Sequence, residues 1–182
     1  MSGVRQVALL RGINVGKAKR VAMADLRKLV EGLGYTDVRT LLNSGNVVFT
    51  APGAARGGAA ARIEKAMTAR LHVPSRVTVL TEAEFAAVVK ENPLERIATN
   101  PSRLLVGFLS RASDRALLKP LEKQSWKPEA LAVGSRAAYL WCPEGMIESP
   151  LAKALARALG DAVTTRNWAT VTKLHALAAS RS

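Results

Sequence analysis

The chain has 182 residues, 48% of them hydrophobic, so it can bury a core as one domain or as two small ones and is not expected to be disordered. Its 27 basic and 14 acidic residues give a net charge of +13, spread over both halves of the chain. Such a charge attracts nucleic acid, nucleotides and other polyanions, although a basic surface that is only solvated explains the excess equally well.

The sequence also bears on compartment and membrane association. Cys142 is the single cysteine, which excludes an internal disulfide. The N-terminus lacks the basic and apolar segments of a secretion signal, and no apolar run approaches the roughly 20 residues that a membrane-spanning helix needs. We therefore predict a cytoplasmic protein without a membrane partner, and the oligomeric state stays open.

Hydrophobic periodicity and turn residues in the first part of the chain predict the order βαββαβ. Gly34 closes the first helix, and the tight pair Ser44-Gly45 separates the two central strands as a hairpin turn. The predicted elements are a strand at 6–10, a helix at 23–33, strands at 38–42 and 46–50, a helix at 63–71 and a strand at 76–80.

The same order recurs more faintly in the second part, after a connecting helix that begins at the capping box of Thr81 and Glu84. Ser149 and Asn167 are predicted to cap the last two helices. The predicted elements are strands at 104–109, 131–133, 137–141 and 163–165, a helix at 113–118, a helix that starts after Ser149 and a C-terminal helix that starts after Asn167.

These elements predict an α+β fold made of two ferredoxin-like βαββαβ subdomains with a C-terminal helix. The predicted boundaries are 1–80 for the first subdomain, 81–103 for the connecting helix and linker, and 104–182 for the second subdomain with its helix. The two halves share an order of elements but no residue pattern, so sequence supports the duplication only as topology.

Three motifs carry a resemblance to a known family: residues 8–16 (ALLRGINVG), 43–49 (NSGNVVF) and 164–171 (TTRNWATV). The chain resembles a bacterial family of proteins of unknown function, DUF1697. The resemblance implies a pair of ferredoxin-like subdomains and assigns no activity, substrate or catalytic residue. One departure is Lys17, where we expect a second glycine, so the loop is predicted to be stiffer and more cationic than in relatives.

Topology predicts a polar rim on the first subdomain. In a ferredoxin-like unit the third strand lies beside the first, so the end of the first strand and the hairpin turn meet at one edge. The N-terminus of the first helix, whose free N–H groups favour an anion, reaches the same edge. We predict a phosphate or carboxylate site there, the alternative being that these residues serve only the turns. The candidate ligand-binding residues are Arg11, Asn14, Lys17, Asn43, Ser44 and Asn46.

A second polar cluster precedes the last helix. Thr165, Arg166 and Asn167 bring a hydroxyl, a guanidinium and an amide together, which suits an anion. The alternative is that Asn167 only caps the helix while Arg166 is solvated. Sequence alone does not determine whether this cluster meets the Arg11 rim.

The sequence gives little support for base stacking, metal binding or catalysis. RNA-recognition modules share this topology and stack bases on aromatic residues of the sheet. Tyr139 and Trp141 alternate onto one face and Phe108 lies on a candidate neighbouring strand, but core packing explains them better. No metal-ligand spacing or catalytic signature surrounds either histidine or Cys142, so we assign no metal, cofactor or catalytic residue.

The sequence therefore predicts a non-catalytic protein that binds an anionic ligand, a nucleotide or nucleic-acid phosphate, at the basic rim. One alternative is a small-molecule enzyme that uses the same polar rim, which the missing general base disfavours. Another is a protein-interaction scaffold whose loops matter only for folding.

Overall fold

The chain folds into two units that repeat one order of secondary structure. The computed structural model describes residues 2–53 and 57–181. The first unit comprises Met1–Phe85 with Leu174–Ser182, and the second comprises Ala86–Lys173. The elements up to the second unit are β1 (Val4–Leu10), α1 (Met23–Gly32), β2 (Thr36–Leu41), β3 (Asn46–Ala51), α2 (Ala59–Ala66), a π-helical turn (Met67–Leu71), β4 (Val77–Thr81) and α3 (Glu82–Lys90).

The remaining elements complete the second unit and the C-terminus. They are β5 (Leu104–Leu109), a 3₁₀ helix (Ala112–Leu118), α4 (Lys119–Glu122), β6 (Ala130–Val133), β7 (Ala137–Trp141), α5 (Pro150–Leu159), a 3₁₀ turn (Gly160–Ala162), β8 (Val163–Asn167) and α6 (Trp168–Ala179).

Each unit contains one four-stranded antiparallel sheet. The strand orders are β2-β3-β1-β4 and β6-β7-β5-β8, so the first strand of each unit, β1 or β5, is one of the two inner strands and pairs on both sides; we call it the central strand. This is the ferredoxin-like arrangement. The α+β fold with two ferredoxin-like subdomains is therefore confirmed.

β1 shows why a continuous apolar run forms the centre of a sheet. Ala8 and Leu10 belong to the helix-side core of the first unit, where they join Leu26 of α1 and Ile63 of α2. Leu9, which points to the opposite face, is also 0% exposed. A strand buried on both faces carries apolar residues at consecutive positions rather than alternating ones.

All three predicted N-terminal helix caps are confirmed. Thr81 and Glu84 form the reciprocal capping box, with Thr81 N donating to Glu84 Oε2 at 2.7 Å and Glu84 N donating to Thr81 Oγ1 at 3.1 Å. At α5, Ala152 N donates to Ser149 Oγ at 2.9 Å. At α6, Thr170 N donates to Asn167 Oδ1 at 2.9 Å. These short polar side chains satisfy N–H groups that have no partner within the helix.

The helix predicted at 113–118 differs from expectation. It is a 3₁₀ helix over Ala112–Leu118, followed by the single α-helical turn of α4. Lys119 N donates to Ala116 O, three residues back. Pro120 follows and has no N–H to donate to Ala116 in the α-helical pattern. The proline therefore favours the tighter helix at this point.

The unit boundaries fall within helices. The sequence-based boundaries keep 81–103 as a separate connector and place the whole C-terminal helix in the second subdomain. In the structure the divisions lie inside α3 and inside α6, and the last turns of α6 belong with the first unit. Two hydrogen bonds anchor them there: Arg5 Nη2 to Leu177 O at 3.4 Å and Arg39 Nη1 to Ser180 Oγ at 3.2 Å.

A buried arginine organises this anchor. The Arg5 side chain is only 5% exposed, and its Nη1 lies 2.6 Å from Asp37 Oδ2. Arg39 Nη2 contacts the other carboxylate oxygen, Oδ1, at 3.2 Å. Burial alone would raise the pKa of the Asp37 carboxyl, but the hydrogen bonds and charges of Arg5 and Arg39 outweigh it and lower the pKa.

Among the described ranges 2–53 and 57–181, no helix is both long and apolar enough to cross a membrane. The structure reports nothing further on compartment, and the cytoplasmic location stays a prediction.

We predict that Asp37→Asn lowers the melting temperature at neutral pH. Asparagine tolerates the positive φ of 48° at this position, so the change removes mainly the charge. A hydrogen bond to a charged group contributes about 2 kcal/mol, which corresponds to roughly 5 °C in a chain of this size. Thermal unfolding followed by circular dichroism measures the loss.

The loss should depend on pH. A carboxyl whose pKa is lowered by folding stabilises the protein above its unfolded pKa, near 3.9, and this stabilisation disappears as the pH falls through the lower folded value. The difference between wild type and Asp37→Asn should therefore shrink below about pH 4. Asp25→Asn is the control, because Asp25 is exposed and forms no ion pair with the described residues; an equal effect from it would contradict the assignment.

Candidate functional site

The end of β1 and the β2–β3 turn lie side by side in the first unit. Leu10 N donates to Gly45 O at 2.9 Å, and on the other side Arg11 N donates to Arg76 O at 2.9 Å. Gly45 has φ of 89°, and a Cβ atom there would lie 2.8 Å from both Leu10 Cβ and Ile13 Cδ1. We call residues 11–22 and 42–46 the rim, and residues 11–20 the basic loop.

Asn14 ties the basic loop to the hairpin turn. Its Nδ2 donates to Val21 O at 2.9 Å and to Asn43 O at 2.7 Å, while its Oδ1 accepts from Val21 N at 2.8 Å. Its backbone N donates to Lys19 O at 3.0 Å. Both amide hydrogens are thus bonded within the protein. Asn14 closes the base of the loop and holds it against the turn.

Asn46 holds the turn from inside. It is 0% exposed, and its Nδ2 donates to Leu41 O at 2.8 Å and to Ser44 Oγ at 2.9 Å. Its two amide hydrogens are therefore also committed to the protein. Of the other predicted turn residues, Asn43 is exposed and Ser44 is half-buried. Asn14 and Asn46 build the rim, whereas Asn43 faces solvent.

The rim presents its positive charge to solvent. Arg11 and Lys17 are exposed, as the sequence interpretation requires for ligand binding. Sequence reasoning did not select Lys19 and Arg20, which are exposed on the same loop. The sequence feature that could have identified them is the presence of four cations and no carboxylate in residues 11–20. Lys17, Lys19 and Arg20 form no ion pair with any residue in the described part of the chain.

The N-terminus of α1 adjoins these cations. Its N-cap residue, Ala22, provides no side-chain hydrogen bond to the first turn. Asp25 is exposed within that turn and is the first carboxylate after the basic loop. The helix end therefore adds partial positive charge at the rim, partly offset by Asp25.

The second predicted cluster lies in the second unit, largely within a strand. β8 extends to Asn167, two residues beyond the strand predicted from sequence, because Arg166 pairs with Val106 and Asn167 with Leu105 in the sheet. Arg166 is half-buried, and burial lowers its pKa to about 10, so it stays protonated at neutral pH. Its Nη1 donates to Thr165 O at 2.9 Å.

The side-chain amide of Asn167 caps α6, as one of the two interpretations of this residue predicted. The rim residues belong to the first unit and this cluster to the second, and the structure brings residues 11–20 and 42–46 together within the first. Binding by either cluster stays a prediction.

Comparison with known protein families identifies the family of this chain. A model described as a protein of unknown function (DUF1697) matches residues 4–139. The chain belongs to this family. Two of the three motifs that suggested it lie inside the matched residues, and the third, at 164–171, lies beyond them. No curated protein matches the sequence.

A solved structure supports the fold of this DUF1697 protein. The conserved bacterial protein SP0830 from Streptococcus pneumoniae is 24% identical, with a TM-score of 0.78 over 96% of this chain and 98% of that chain. At this identity the likeness shows the fold alone.

The described part of this DUF1697 protein contains no candidate metal site, and its cysteine is buried. Within residues 2–53 and 57–181, no three His, Cys, Asp or Glu side chains come together as a metal site. Cys142 is fully buried, with its Sγ 3.4 Å from Ser149 Oγ, which in turn donates to the Glu129 carboxylate. Burial and the charge of Glu129 raise the pKa of the thiol to about 11, despite the lowering effect of Ser149.

Two glycine substitutions test the rim geometry. Gly12→Ala should cost about 1–2 kcal/mol, because its φ of 72° is strained for alanine but no atom lies within 4 Å of the added Cβ. Gly45→Ala should cost about 2 kcal/mol more, because its Cβ overlaps Leu10 and Ile13. Urea unfolding measures both. Equal losses of unfolding free energy in the two variants would contradict the close packing of the turn against Leu10 and Ile13.

The thiol of Cys142 should react very slowly with alkylating reagents in the folded DUF1697 protein. At pH near 8, a thiol with a pKa of about 11 is almost entirely protonated. Alkylation by iodoacetamide should therefore be roughly 100-fold slower, or more, than in the same protein unfolded in guanidinium, as measured by mass spectrometry over time. Comparable rates in the two states would contradict the burial and the raised pKa of this thiol.

Proposed function

We propose that the protein binds a phosphate-bearing anion, a nucleotide or a nucleic-acid phosphate, through the basic loop, without catalysing a reaction on it. Arg11 and Lys17 supply the charge predicted from sequence, and Lys19 and Arg20 add to it. Asn14 and Asn46 act by holding the loop and the turn, and Asn43 and Ser44 are the polar groups of that turn.

The observation that carries this proposal is a difference between two copies of one fold. In both units the central strand ends with the same hydrogen bonds: Leu10 N donates to Gly45 O, and Leu109 N donates to Arg136 O. In the first unit twelve residues, 11–22, then lead to the helix, whereas two, 110–111, suffice in the second. The ferredoxin-like topology therefore does not require a connection of this length. Ile13 and Val21 pack into the core, but the exposed residues between them exceed what the topology needs, and such loop residues commonly carry function.

The charges of the two connections differ as well. The connection of the second unit, 110–111, carries one cation, Arg111, whereas residues 11–20 carry four. Arg136, in the neighbouring turn, donates to Leu109 O and Ser110 O at 2.8 and 3.0 Å. In the first unit, Lys17, Lys19 and Arg20 have no such partner among the described residues. Cations without intramolecular partners remain available to an anion.

The test is the double variant Arg11→Ala with Lys17→Ala. The matched control is Lys119→Ala with Lys123→Ala, which removes the same charge from exposed lysines of the second unit. The probes are inorganic tripolyphosphate, ATP and a DNA duplex of about 20 base pairs, titrated at several salt concentrations. Isothermal titration calorimetry and fluorescence anisotropy measure binding.

We expect the rim variant to bind at least one probe roughly tenfold more weakly than wild type, because each lost phosphate contact removes favourable counterion release. The control should stay within about twofold of wild type, since general charge acts weakly at moderate salt. Equal effects of both variants on all probes would refute the basic loop as the binding site.

A further inference from the structure

We propose that the phosphate-bearing ligand is the backbone of duplex nucleic acid, an inference that rests on the proposed function. Lys17, Lys19 and Arg20 are all exposed. An exposed ion pair contributes only about 0–1 kcal/mol, so a single phosphate group would be held weakly. A duplex presents phosphates at short intervals on two strands, and each one neutralised adds counterion release. The exposure of the cations therefore favours a polymer.

An enclosed nucleotide site would need different surroundings. Pockets for small molecules bury most of the ligand surface. The first unit has a groove of about 470 Å³, but it is lined by Arg27, Glu31 and residues 37–40 and by no residue of the rim. Its charges are paired, with Arg27 Nε 2.9 Å from Glu31 Oε1 and Arg39 Nη2 3.2 Å from Asp37 Oδ1. Lys17, Lys19 and Arg20 lie outside this groove.

The aromatic side chains distinguish a duplex from a single strand. Proteins that bind single strands stack bases on exposed aromatic rings, at about 1–3 kcal/mol per base. All eight aromatic residues of this chain lie in its described part, and none is exposed. Trp126 is half-buried, with Nε1 donating to Leu121 O at 2.8 Å. The seven buried ones are Tyr35, Phe49, Phe85, Phe108, Tyr139, Trp141 and Trp168.

Two aliphatic side chains at the rim remain to be explained. Val15 is 69% exposed and Leu42 is 51% exposed. Beside cations they would also suit an anionic membrane, but together they carry about half the carbon of one myristoyl chain, which by itself binds membranes only marginally. Against a duplex, such side chains contact sugars and groove walls while the cations contact phosphates. The rim therefore fits a duplex better than a lipid surface.

The experiment compares two double variants of the full chain. The rim variant carries Lys17→Gln and Lys19→Gln together, and the control carries Lys119→Gln and Lys123→Gln together. Glutamine removes the charge and keeps most of the side-chain length. The probes are a DNA duplex of about 20 base pairs in two unrelated sequences, one of its single strands, ATP, and vesicles of phosphatidylserine and phosphatidylcholine. Circular dichroism and thermal melting verify that both variants fold.

For the wild type we expect the two duplexes to bind equally well and roughly tenfold more tightly than the single strand. The rim variant should bind the duplexes roughly 10- to 100-fold more weakly at about 100 mM NaCl, and its salt slope, log Kobs against log [NaCl], should be smaller in magnitude by about 2. The control should leave both quantities close to those of wild type.

The contrary outcomes separate the two proposals. Charge-dependent loss of ATP or single-strand binding without preference for the duplex would overturn the duplex inference and leave the proposed function standing. Tighter binding to vesicles than to the duplex would likewise overturn it. If no phosphate-bearing probe distinguishes the rim variant from the control, the proposed function and the duplex inference are both refuted.

Discussion

The pairing of β1 with β3 on one side and β4 on the other is the constraint on which the first unit depends. A strand in this position loses solvent on both faces, so residues 7–10 are all apolar, and the charge of the buried Arg5 is matched by Asp37. Where it ends, Leu10 N donates to Gly45 O, and this bond holds the hairpin turn at the origin of the basic loop. Arg11 is the first exposed residue after the buried strand. The rim is therefore a consequence of how the sheet is assembled.

At this rim the neutral amide side chains support the loop and the turn, whereas the charged side chains are exposed to solvent. An amide can be buried at little cost if its hydrogen bonds are made, as Asn46 shows with both Nδ2 bonds satisfied. A lysine cannot, because removing an ion from water costs several kcal/mol. Asn14 and Asn46 consequently form the support, and Lys17 and Lys19 remain in water. Arg5 is the contrasting case, since its burial is matched by the carboxylate of Asp37.

The repeated fold separates what the architecture needs from what this chain adds. Both units join their central strand to the following hairpin turn by a backbone hydrogen bond, and both place that strand second from an edge. They differ in the connection that follows, which is long and cationic over 11–22 and short over 110–111. This difference between the two copies is the basis of the proposed binding of an anion by the basic loop.

Local order was determined by the sequence itself. Apolar runs, periodicity and caps such as Thr81 with Glu84 act over a few residues, so they predicted the element order, three helix caps and the α+β fold. Only the tertiary structure decided the roles of the polar residues. The sequence predicts both Asn14 and Asn46 as ligand groups. Asn46 bonds within its own turn, to Leu41 O and Ser44 Oγ, but Asn14 bonds to Asn43 O, 29 positions away, and Arg5 to Leu177 O, 172 positions away. Such pairings depend on which surfaces meet, and no local pattern encodes them.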